Sequence, residues 1–371
     1  MRFGLIIYGS LEQASGGYLY DRKLVETLRK HGHQVEVISL LWRGYLWHLS
    51  DNFSRSLLTK LQKLKLDALL QDELNHPSLF LFNARLKAHV SYPIISIVHH
   101  LRSSEPGPAL LKIFYRAIEW RYLRTVDAFI FNSRTTQTAV KRVLPGPRLH
   151  VIAQPAGNRL NPKITTAQIR ARARRPGPLR VIFLGNLIRR KAPHVLIEAL
   201  TKLERGSIRV VFAGGGKSEP AYASRLRTLV RRNKLQAWVE FCGHLGETRL
   251  AARLHTSHVL VVPSCYEGYG IAYLEGMSFG LPAIVTRAGA AAEIISSGKN
   301  GYLIGVGNVA QLARYLERLN KDRQLLIRLS LAARRHYLQH PSWQDSLARI
   351  HAFLSGYNVA SSRDFLSRRH S

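Results

Sequence analysis

The sequence predicts an α/β protein made of two Rossmann-like domains. Its 371 residues are enough for two domains of ordinary size. Short apolar runs alternate with segments whose apolar residues recur at helical spacing, which is the pattern of a parallel sheet covered by helices. This alternation occurs twice, and an Arg-rich segment containing Pro176, Gly177 and Pro178 separates the two series.

The first series starts at the amino terminus. An apolar run at residues 3–8 predicts a buried strand, and a loop at 9–17 that contains Gly and Ser connects this strand to a helix. The predicted strands are 3–8, 35–41, 93–98 and 126–131, and the predicted helices are 18–30 and 110–123. We assign residues 1–165 to this N-terminal domain and residues 166–178 to a linker.

The second series starts after the linker. The predicted strands are 179–184, 208–213, 238–242, 259–263 and 282–285, and the predicted helices are 194–203, 222–234, 249–255 and 270–279. We assign residues 179–342 to this second domain. Residues 343–354 predict one further helix at the end of the chain.

The charge balance narrows the classes of partner. The chain has 55 Lys and Arg residues against 23 Asp and Glu residues, a formal net charge of +32. Such a surface attracts nucleic acid, anionic lipid or phosphate-rich substrates. A general bias of the source genome towards Arg is the alternative explanation.

Cysteine content and hydropathy bear on the compartment. The two cysteines exclude a disulfide scaffold and a CxxC zinc or redox site, which favours a reducing compartment. No apolar run approaches the ~20 residues that a spanning helix needs. The amino terminus lacks a long apolar segment with a cleavage site, so we expect a strand there and not a signal peptide. The expected location is cytoplasmic.

The most specific motif follows the predicted strand at 259–263. There the sequence P-S-C-Y-E-G-Y-G turns into a helix, and Glu267 lies eight residues before Glu275. A Gly-rich turn at a helix start directs backbone N–H groups at one point, which suits a phosphate or a sugar hydroxyl. Carboxylates accept hydrogen bonds from vicinal sugar hydroxyls. The alternative is structural, with Glu267 capping the helix and Glu275 solvated.

These residues resemble the E-x7-E signature of the retaining GT-B glycosyltransferases of family 4, the glycosyl transferases group 1. Other segments resemble the family in the same order along nearly the whole chain, more specifically in the C-terminal half. They are Ser15-Gly16-Gly17, G-N-L-I-R-R-K at 185–191, Gly214-Gly215-Gly216, G-x-x-x-E at 289–293 and G-x-x-G-x-L at 298–303. The resemblance implies a central cleft between the two domains and a C-terminal helix, 343–371, that crosses back to the N-terminal domain, with Trp343 holding it there.

The resemblance also implies the activity and the site. The enzyme would be a metal-independent hexosyltransferase that transfers a sugar from a UDP- or GDP-linked donor, with retention of configuration and without a separate cofactor. His99 and Glu267 are the candidate catalytic residues, and His100 is the alternative to His99. The candidate donor-binding residues are Gly16, Gly17, Asn186, Arg190, Lys191, Gly268, Tyr269, Gly270, Ile271 and Glu275. Within this set, Glu275 would hold the ribose and Lys191 the departing diphosphate.

One residue departs from the family pattern. Asn186 stands where the family has an Arg that neutralises the pyrophosphate, although Lys191 is in register. We expect Arg189 or Arg190 to supply the missing charge from the neighbouring turn. A run of three basic residues is otherwise a solvated surface.

A basic and aromatic stretch at residues 41–70 bears on the acceptor. Trp42, Tyr45 and Trp47 alternate there with Arg and Lys residues, which indicates either contact with an anionic membrane surface or an ordinary amphipathic helix. A glycan, a glycolipid or a lipid-linked sugar is the expected acceptor, and the lipid-bound ones would be reached at the inner membrane face.

Two other classes of function stay open: the protein could be a basic nucleic-acid-binding protein or an inactive scaffold of the same fold. Because no nucleic-acid-binding motif is present, no specific nucleic acid is expected. The oligomeric state is not predicted.

Overall fold

The structure is a computed structural model that describes residues 1–13, 15–160 and 162–367, without the side chains of 358–367. The chain forms two compact units. Unit 1 comprises Met1–Pro155 and the C-terminal segment from Trp343 onward, and unit 2 comprises Ala156–Ser342.

Unit 1 is built on a six-stranded parallel sheet with the order β2-β1-β3-β4-β5-β6. Its strands are β1 (Arg2–Tyr8), β2 (Gln34–Leu40), β3 (Ala68–Asp72), β4 (Ile94–Val98), β5 (Ala128–Phe131) and β6 (Leu149–Ile152). Its helices are α1 (Gly16–Lys30), α2 (Tyr45–His48), α3 (Arg55–Lys63), α4 (His76–Leu79), α5 (Phe82–Lys87), α6 (Ala109–Leu123), α7 (Arg134–Val143) and α16 (Trp343–Ser367). The central strands β3, β4 and β5 are buried along their whole length because helices cover both faces of a parallel sheet.

Unit 2 repeats this architecture with the order β12-β11-β10-β7-β8-β9. Its strands are β7 (Leu179–Leu184), β8 (Ile208–Ala213), β9 (Val239–Gly243), β10 (Val259–Val262), β11 (Ala283–Thr286) and β12 (Gly301–Ile304). Its helices are α8 (Thr166–Arg174), α9 (Pro193–Leu200), α10 (Pro220–Arg232), α11 (Glu247–Thr256), α12 (Ile271–Ser278), α13 (Ala291–Ile294), α14 (Val309–Lys321) and α15 (Arg323–Gln339). The prediction of two doubly wound, parallel α/β domains is confirmed.

The segment predicted as a linker has a different structure. Residues 166–174 form α8, which starts at a capping box between Thr165 and Gln168 and buries Ile169 completely. Arg172 of the same helix is buried and donates from Nη2 to the carbonyl oxygen of Gly280 at 3.0 Å. The helix is therefore part of unit 2, and the first boundary between the units follows Pro155. The Arg-rich composition indicated a solvated linker, but the apolar face of α8 and Arg172 pack against unit 2.

The last helix belongs to unit 1, as the sequence predicts. Trp343 is buried at the start of α16 and packs edge-on against Tyr20 of α1, with 5.7 Å between ring centroids. Ser346 donates to the carbonyl oxygen of Gln154 at 2.6 Å. Further along the helix, the Nε2 atoms of His351 and His33 are 2.9 Å apart.

The candidate residues follow the carboxyl ends of the strands in each sheet, which is where ligands bind in open α/β sheets. In unit 1 they follow β1 and β4, and in unit 2 they follow β7 and β10. Within the described part of the chain, no helix has both the length and the apolar character needed to span a membrane.

Candidate functional site

In unit 2, Glu267 and Lys191 form an ion pair after the ends of β10 and β7. The Lys191 ammonium donates to Oε1 of the buried Glu267 carboxylate, and Ser264 donates to the same oxygen at 2.7 Å. Arg190 brings a second cation to this oxygen, with its Nη1 at 3.9 Å. Two partly exposed cations and one buried carboxylate thus meet in one cluster, which leaves it with a net positive charge.

The backbone around Glu267 is fixed by close contacts that require glycine. A Cβ on Gly289, which has a φ of +63°, would lie 1.8 Å from the Glu267 carbonyl oxygen. That oxygen accepts from the Ala290 N–H at 3.1 Å. Gly270, with a φ of +111°, precedes α12, and a Cβ there would lie 2.3 Å from the Tyr273 ring. These contacts hold the turn between β10 and α12 in one conformation.

The segment that carries Lys191 and Arg190 is tied to the same turn. Arg190 accepts through its carbonyl oxygen from the Cys265 N–H at 2.7 Å and donates from Nη1 to the Tyr266 carbonyl at 2.8 Å. The Lys191 chain passes alongside Gly185, whose φ is +147°, and a Cβ there would lie 3.5 Å from Cε of Lys191. Of the two arginines that the sequence offers, Arg190 is the one beside Glu267. Arg189 is exposed and its Nε lies 3.7 Å from Glu219.

The charged groups in this cluster shift one another's pKa values. Burial raises the pKa of Glu267, but Lys191 and Arg190 outweigh it and leave the pKa below its ordinary value. Burial lowers the pKa of Lys191 in spite of the attraction of Glu267. At neutral pH the Glu267 carboxylate is therefore ionised.

Glu275 has a partner that the sequence analysis did not identify. Arg159 donates to Oε1 of this buried carboxylate from Nε at 2.9 Å, and its Nη2 lies 2.7 Å from the same atom. Burial raises the pKa of Glu275 and Arg159 opposes that rise. Gly157 brings the loop of Arg159 against α12, since a Cβ on Gly157 would lie 2.5 Å from Cβ of Leu274. No motif marks Arg159, which is one of many arginines between residues 134 and 191.

The remaining candidates of unit 2 line the same loops. Tyr269 is buried, and its hydroxyl lies 2.6 Å from Nε2 of His340, so its side chain is already engaged within the unit. Gly268 and Gly270 lie in the turn, and Ile271 is the first residue of α12. Asn186 follows β7, and a Cβ on Gly214 would lie 3.2 Å from its backbone nitrogen.

In unit 1, His99 forms an ion pair with Asp21. Its Nε2 lies 3.1 Å from Oδ1 of the fully buried Asp21, which the sequence analysis did not identify. Burial lowers the pKa of His99, but Asp21, with Asp72 and Glu73 behind it, raises it to about 9. His100, the alternative, has its Nε2 3.0 Å from Glu105 instead.

Two neighbours fix the position of His99. Asn132 donates from Nδ2 to the His99 carbonyl oxygen at 2.8 Å. A Cβ on Gly17 would lie 3.3 Å from the His99 ring, so glycine lets α1 approach it closely. Gly16 and Gly17 open α1 after Ser15, whose side chain caps the helix.

Unit 1 also holds buried acidic residues that the sequence analysis missed. Asp72, Glu73 and Glu119 are all buried at the carboxyl edge of the sheet. Burial raises the pKa of Asp72 to about 7, of Glu73 to about 8 and of Glu119 to about 7. In a chain of net charge +32, this concentration of buried acid is unexpected.

Comparisons with known sequences point to one family. Residues 165–336 match the family model described as Glycosyl transferases group 1. The glycogen synthase of Mycobacterium tuberculosis is 27% identical over 259 residues, which are 68% of this chain and 60% of the relative. A D-inositol 3-phosphate glycosyltransferase of Streptomyces bingchenggensis is 30% identical over 244 residues, 62% of this chain and 53% of the relative. The matches thus span between half and two thirds of these relatives' own length.

Solved structures show the same fold. Sucrose-phosphate synthase from Thermosynechococcus elongatus superposes with a TM-score of 0.83 at 18% identity, covering 97% of this chain and 100% of that chain. HepE from Anabaena, in complex with UDP and glucose, superposes with a TM-score of 0.74 at 18% identity, covering 95% and 99%. At this identity the likeness concerns the fold alone.

The family match and the site geometry coincide in unit 2. The matched segment contains Lys191, Glu267 and Glu275 together with the glycines that hold their loops. The segment of this chain that matches the glycosyl transferases group 1 model, residues 165–336, is thus the one that contains the ion-paired site.

Proposed function

We propose that the protein is a retaining glycosyltransferase of family 4 that transfers a hexose from a nucleotide diphosphate sugar to an acceptor. The observation that carries the proposal is the cluster of Lys191, Arg190 and the buried Glu267 at the end of β10 and β7. In this cluster, two cations that can bind a diphosphate lie beside a carboxylate that can accept hydrogen bonds from sugar hydroxyls.

The cations would act mainly when the bond to the diphosphate breaks. Negative charge then grows on the leaving group, and donors held in place beforehand stabilise it most effectively. Lys191 and Arg190 are positioned by the contacts to Glu267 and Tyr266, so they need little rearrangement. In this proposal they carry the role that a metal ion has in other transferases. Asn186 and the N–H groups of Gly268 and Ile271 would complete the contacts to the donor.

The two carboxylates would bind different parts of the donor. Glu267 would contact the hydroxyls of the transferred sugar, and Glu275 those of the ribose. The Arg159 contact supports this role of Glu275, since a guanidinium beside a buried carboxylate favours its ionised, accepting form. Gly16 and Gly17 would lie against the donor phosphates.

His99 is the candidate catalytic residue of unit 1. With a pKa raised to about 9, its imidazole is protonated at neutral pH and can only donate hydrogen bonds. We therefore assign it to a hydroxyl of the transferred sugar, and not to proton abstraction.

The acceptor proposal rests on a surface of unit 1. Exposed apolar side chains from two segments form what we call the apolar patch: Leu41, Trp42, Leu46, Trp47, Leu110, Leu111, Ile113 and Phe114. Tyr45 joins the two segments, with its ring centroid 6.1 Å from that of Phe114. Arg43, Lys112 and Arg116 lie in the same segments.

The patch is positioned differently from the stretch that the sequence indicated. Leu57 and Leu61 of α3 are buried in the core of unit 1, so this helix packs as an ordinary amphipathic helix. The exposed aromatic residues precede it, and α6 adds apolar residues that the sequence analysis had not included. Trp47 is 71% and Leu110 82% exposed.

Aromatic and aliphatic side chains among basic ones fit the interface of an anionic lipid surface. We propose a cytoplasmic enzyme that binds the inner membrane face and glycosylates a glycolipid or lipid-linked sugar there. A soluble glycan is the alternative acceptor, and the vesicle experiment in the Discussion distinguishes the two.

Donor binding is tested by thermal unfolding of the full chain with UDP-, GDP- and ADP-sugars. UDP-glucose comes first, because structures of HepE contain UDP and UDP-glucose. We expect saturable stabilisation by one nucleotide class, which Glu275→Ala reduces. If none of the nucleotide sugars stabilises the protein, the proposal is contradicted.

A further inference from the structure

A group of metal-ligating side chains lies in unit 1, outside the residues assigned above to the donor. Glu73 and His76 are three positions apart, on the turn Glu73–Asn75 and the first residue of α4, and Glu119 reaches them from α6. Each offers one ligand atom, and these atoms all lie within 4.8 Å of one another. All three residues are buried, with at most 2% of any of them exposed. A Glu-x-x-His spacing on a helical turn presents both side chains on the same side, as metal-binding helices do.

One carboxylate oxygen in this group lacks a hydrogen-bond partner. Oε1 of Glu73 is fully buried, lies 3.1 Å from Nδ1 of His76 and makes no hydrogen bond. An ionised oxygen without a donor is costly in a protein interior. The two carboxylates and the imidazole therefore need either protons or a bound cation to neutralise them.

We propose that Glu73, His76 and Glu119 bind one divalent transition-metal ion. Two carboxylate ligands would balance the charge of a divalent ion, and the imidazole nitrogen favours Zn²⁺, Mn²⁺ or Fe²⁺ over Mg²⁺ or Ca²⁺.

Contacts around the imidazole suit a ligand. Nδ1 of His76 lies 3.1 Å from Oε1 and 3.0 Å from the carbonyl oxygen of Glu73, and because both oxygens accept, either a proton or a cation must stand at this nitrogen. With Nδ1 deprotonated towards a cation, Nε2–H donates to the Tyr45 hydroxyl, which lies 2.9 Å away. A partner on the second nitrogen fixes the tautomer and the ring orientation of metal-binding histidines.

The third ligand is held in the same way. Glu119 accepts at Oε1 from the Ser103 N–H at 3.0 Å and at Oε2 from the Ser103 hydroxyl. Each oxygen keeps a lone pair for a cation. An ion here would join α4 to α6, and so would brace the two segments that Tyr45 connects at the apolar patch. The site is independent of donor binding in unit 2.

The experiment measures metal in the full-length chain without a histidine tag. The protein is exchanged into metal-free buffer and analysed by inductively coupled plasma mass spectrometry, both as purified and after incubation with Zn²⁺ or Mn²⁺. We expect about one equivalent per chain. Glu73→Gln and Glu119→Gln should each lower the affinity by about 10- to 100-fold. Glu26→Gln, which removes a half-buried carboxylate of α1 that pairs with Lys23, is the matched control and should keep the metal.

Loading the wild-type protein with Co²⁺ gives a spectroscopic readout that does not require any variant to fold. Visible absorption bands typical of mixed nitrogen and oxygen coordination should appear with one equivalent of Co²⁺ and disappear with Zn²⁺. Wild-type protein without stoichiometric metal under all these conditions would overturn the proposal and would mean that protons neutralise the cluster. Full metal content in both Glu→Gln variants would also overturn it.

Discussion

Arg159 holds Glu275 through two nitrogens, with Nε at 2.9 Å and Nη2 at 2.7 Å from the same carboxylate oxygen. Glu275 lies in α12 and Arg159 in the loop before α8, so the pair joins two parts of unit 2 that are 116 residues apart. Because burial alone raises the pKa of this carboxyl, Arg159 is what favours its ionised form. The proposed ribose contact depends on that form.

Glu275→Ala should weaken binding of the nucleotide sugar more than any other property of the enzyme. Each charge-assisted hydrogen bond lost to a ribose hydroxyl costs about 1.5–3 kcal/mol, so we expect a rise in donor Kd of at least about tenfold. Isothermal titration calorimetry measures it. Glu247→Ala, which removes an exposed carboxylate 3.9 Å from Arg159, is the control and should bind as the wild type does. An unchanged Kd in Glu275→Ala would refute the ribose assignment.

Lys191→Ala should lower kcat by about 100-fold and change the donor Kd much less, because charge on the diphosphate grows in the transition state. Steady-state kinetics with calorimetry separates the two effects. Arg190→Ala should show a smaller loss of the same kind, and Arg189→Ala, whose side chain is exposed, should be neutral. If Lys191→Ala loses binding and turnover equally, the residue serves binding only. A loss in Arg189→Ala with none in Arg190→Ala would reverse the assignment of the arginines.

His99 should titrate near pH 9 and not near the ordinary value of about 6.5. A raised pKa means that the His99–Asp21 pair stabilises the folded protein fully below about pH 6.5, and that this contribution is lost as the pH rises through about 9. NMR titration of the imidazole nitrogens measures the pKa. In Asp21→Asn the burial of the ring remains and its main anionic partner is gone, so the pKa should fall markedly. An equal pKa in both proteins would disprove the coupling.

The apolar patch should bind anionic vesicles at low salt and release them as salt rises, with little binding to neutral vesicles. Each basic residue near the surface contributes about 1 kcal/mol, and inserted aromatic residues add apolar area. Co-sedimentation of Trp47→Ser/Leu110→Ser should show reduced binding. Replacing Arg55, Lys60, Lys63 and Lys65 with Gln should also weaken binding without affecting the donor.

The control for the patch is Leu338→Ser, which changes a leucine of unit 2 that is 64% exposed. If this variant loses as much vesicle binding as the patch variant, the patch is not the contact surface. Wild-type protein that ignores anionic vesicles at low salt would favour a soluble acceptor.

The sequence predicted the strands that carry strong apolar runs but missed β6, β12 and, with the largest consequence for the site, β3. This strand has only five residues and ends in Gln71 and Asp72, which are polar although the fold buries them. The leucines before it recur at helical spacing, so the segment up to residue 70 indicated helix. Because β3 was not predicted, the position of Glu73 and the buried acidic residues of unit 1 were missed as well.

In the candidate site, too, the sequence revealed residues that belong to a local motif and missed residues whose partners are distant in the chain. The turn around Glu267 was visible because one short motif encodes it. Arg159 and Asp21 were not, since their partners lie 116 and 78 residues away and no local pattern distinguishes them. Which of two adjacent residues faces the site, as with Arg189 and Arg190, depends on backbone geometry that only the fold supplies.

The central claim is tested most directly by the anomer that the enzyme releases from its donor. The full chain is incubated with UDP-α-glucose, or with the α-linked donor that stabilises it best, and the sugar freed by slow hydrolysis is followed by ¹H NMR before it mutarotates. The proposal predicts that the α-anomer appears first and that Lys191→Ala nearly abolishes its formation. First appearance of the β-anomer would contradict retention. Absence of binding and turnover with UDP-, GDP- and ADP-sugars alike would contradict the glycosyltransferase function.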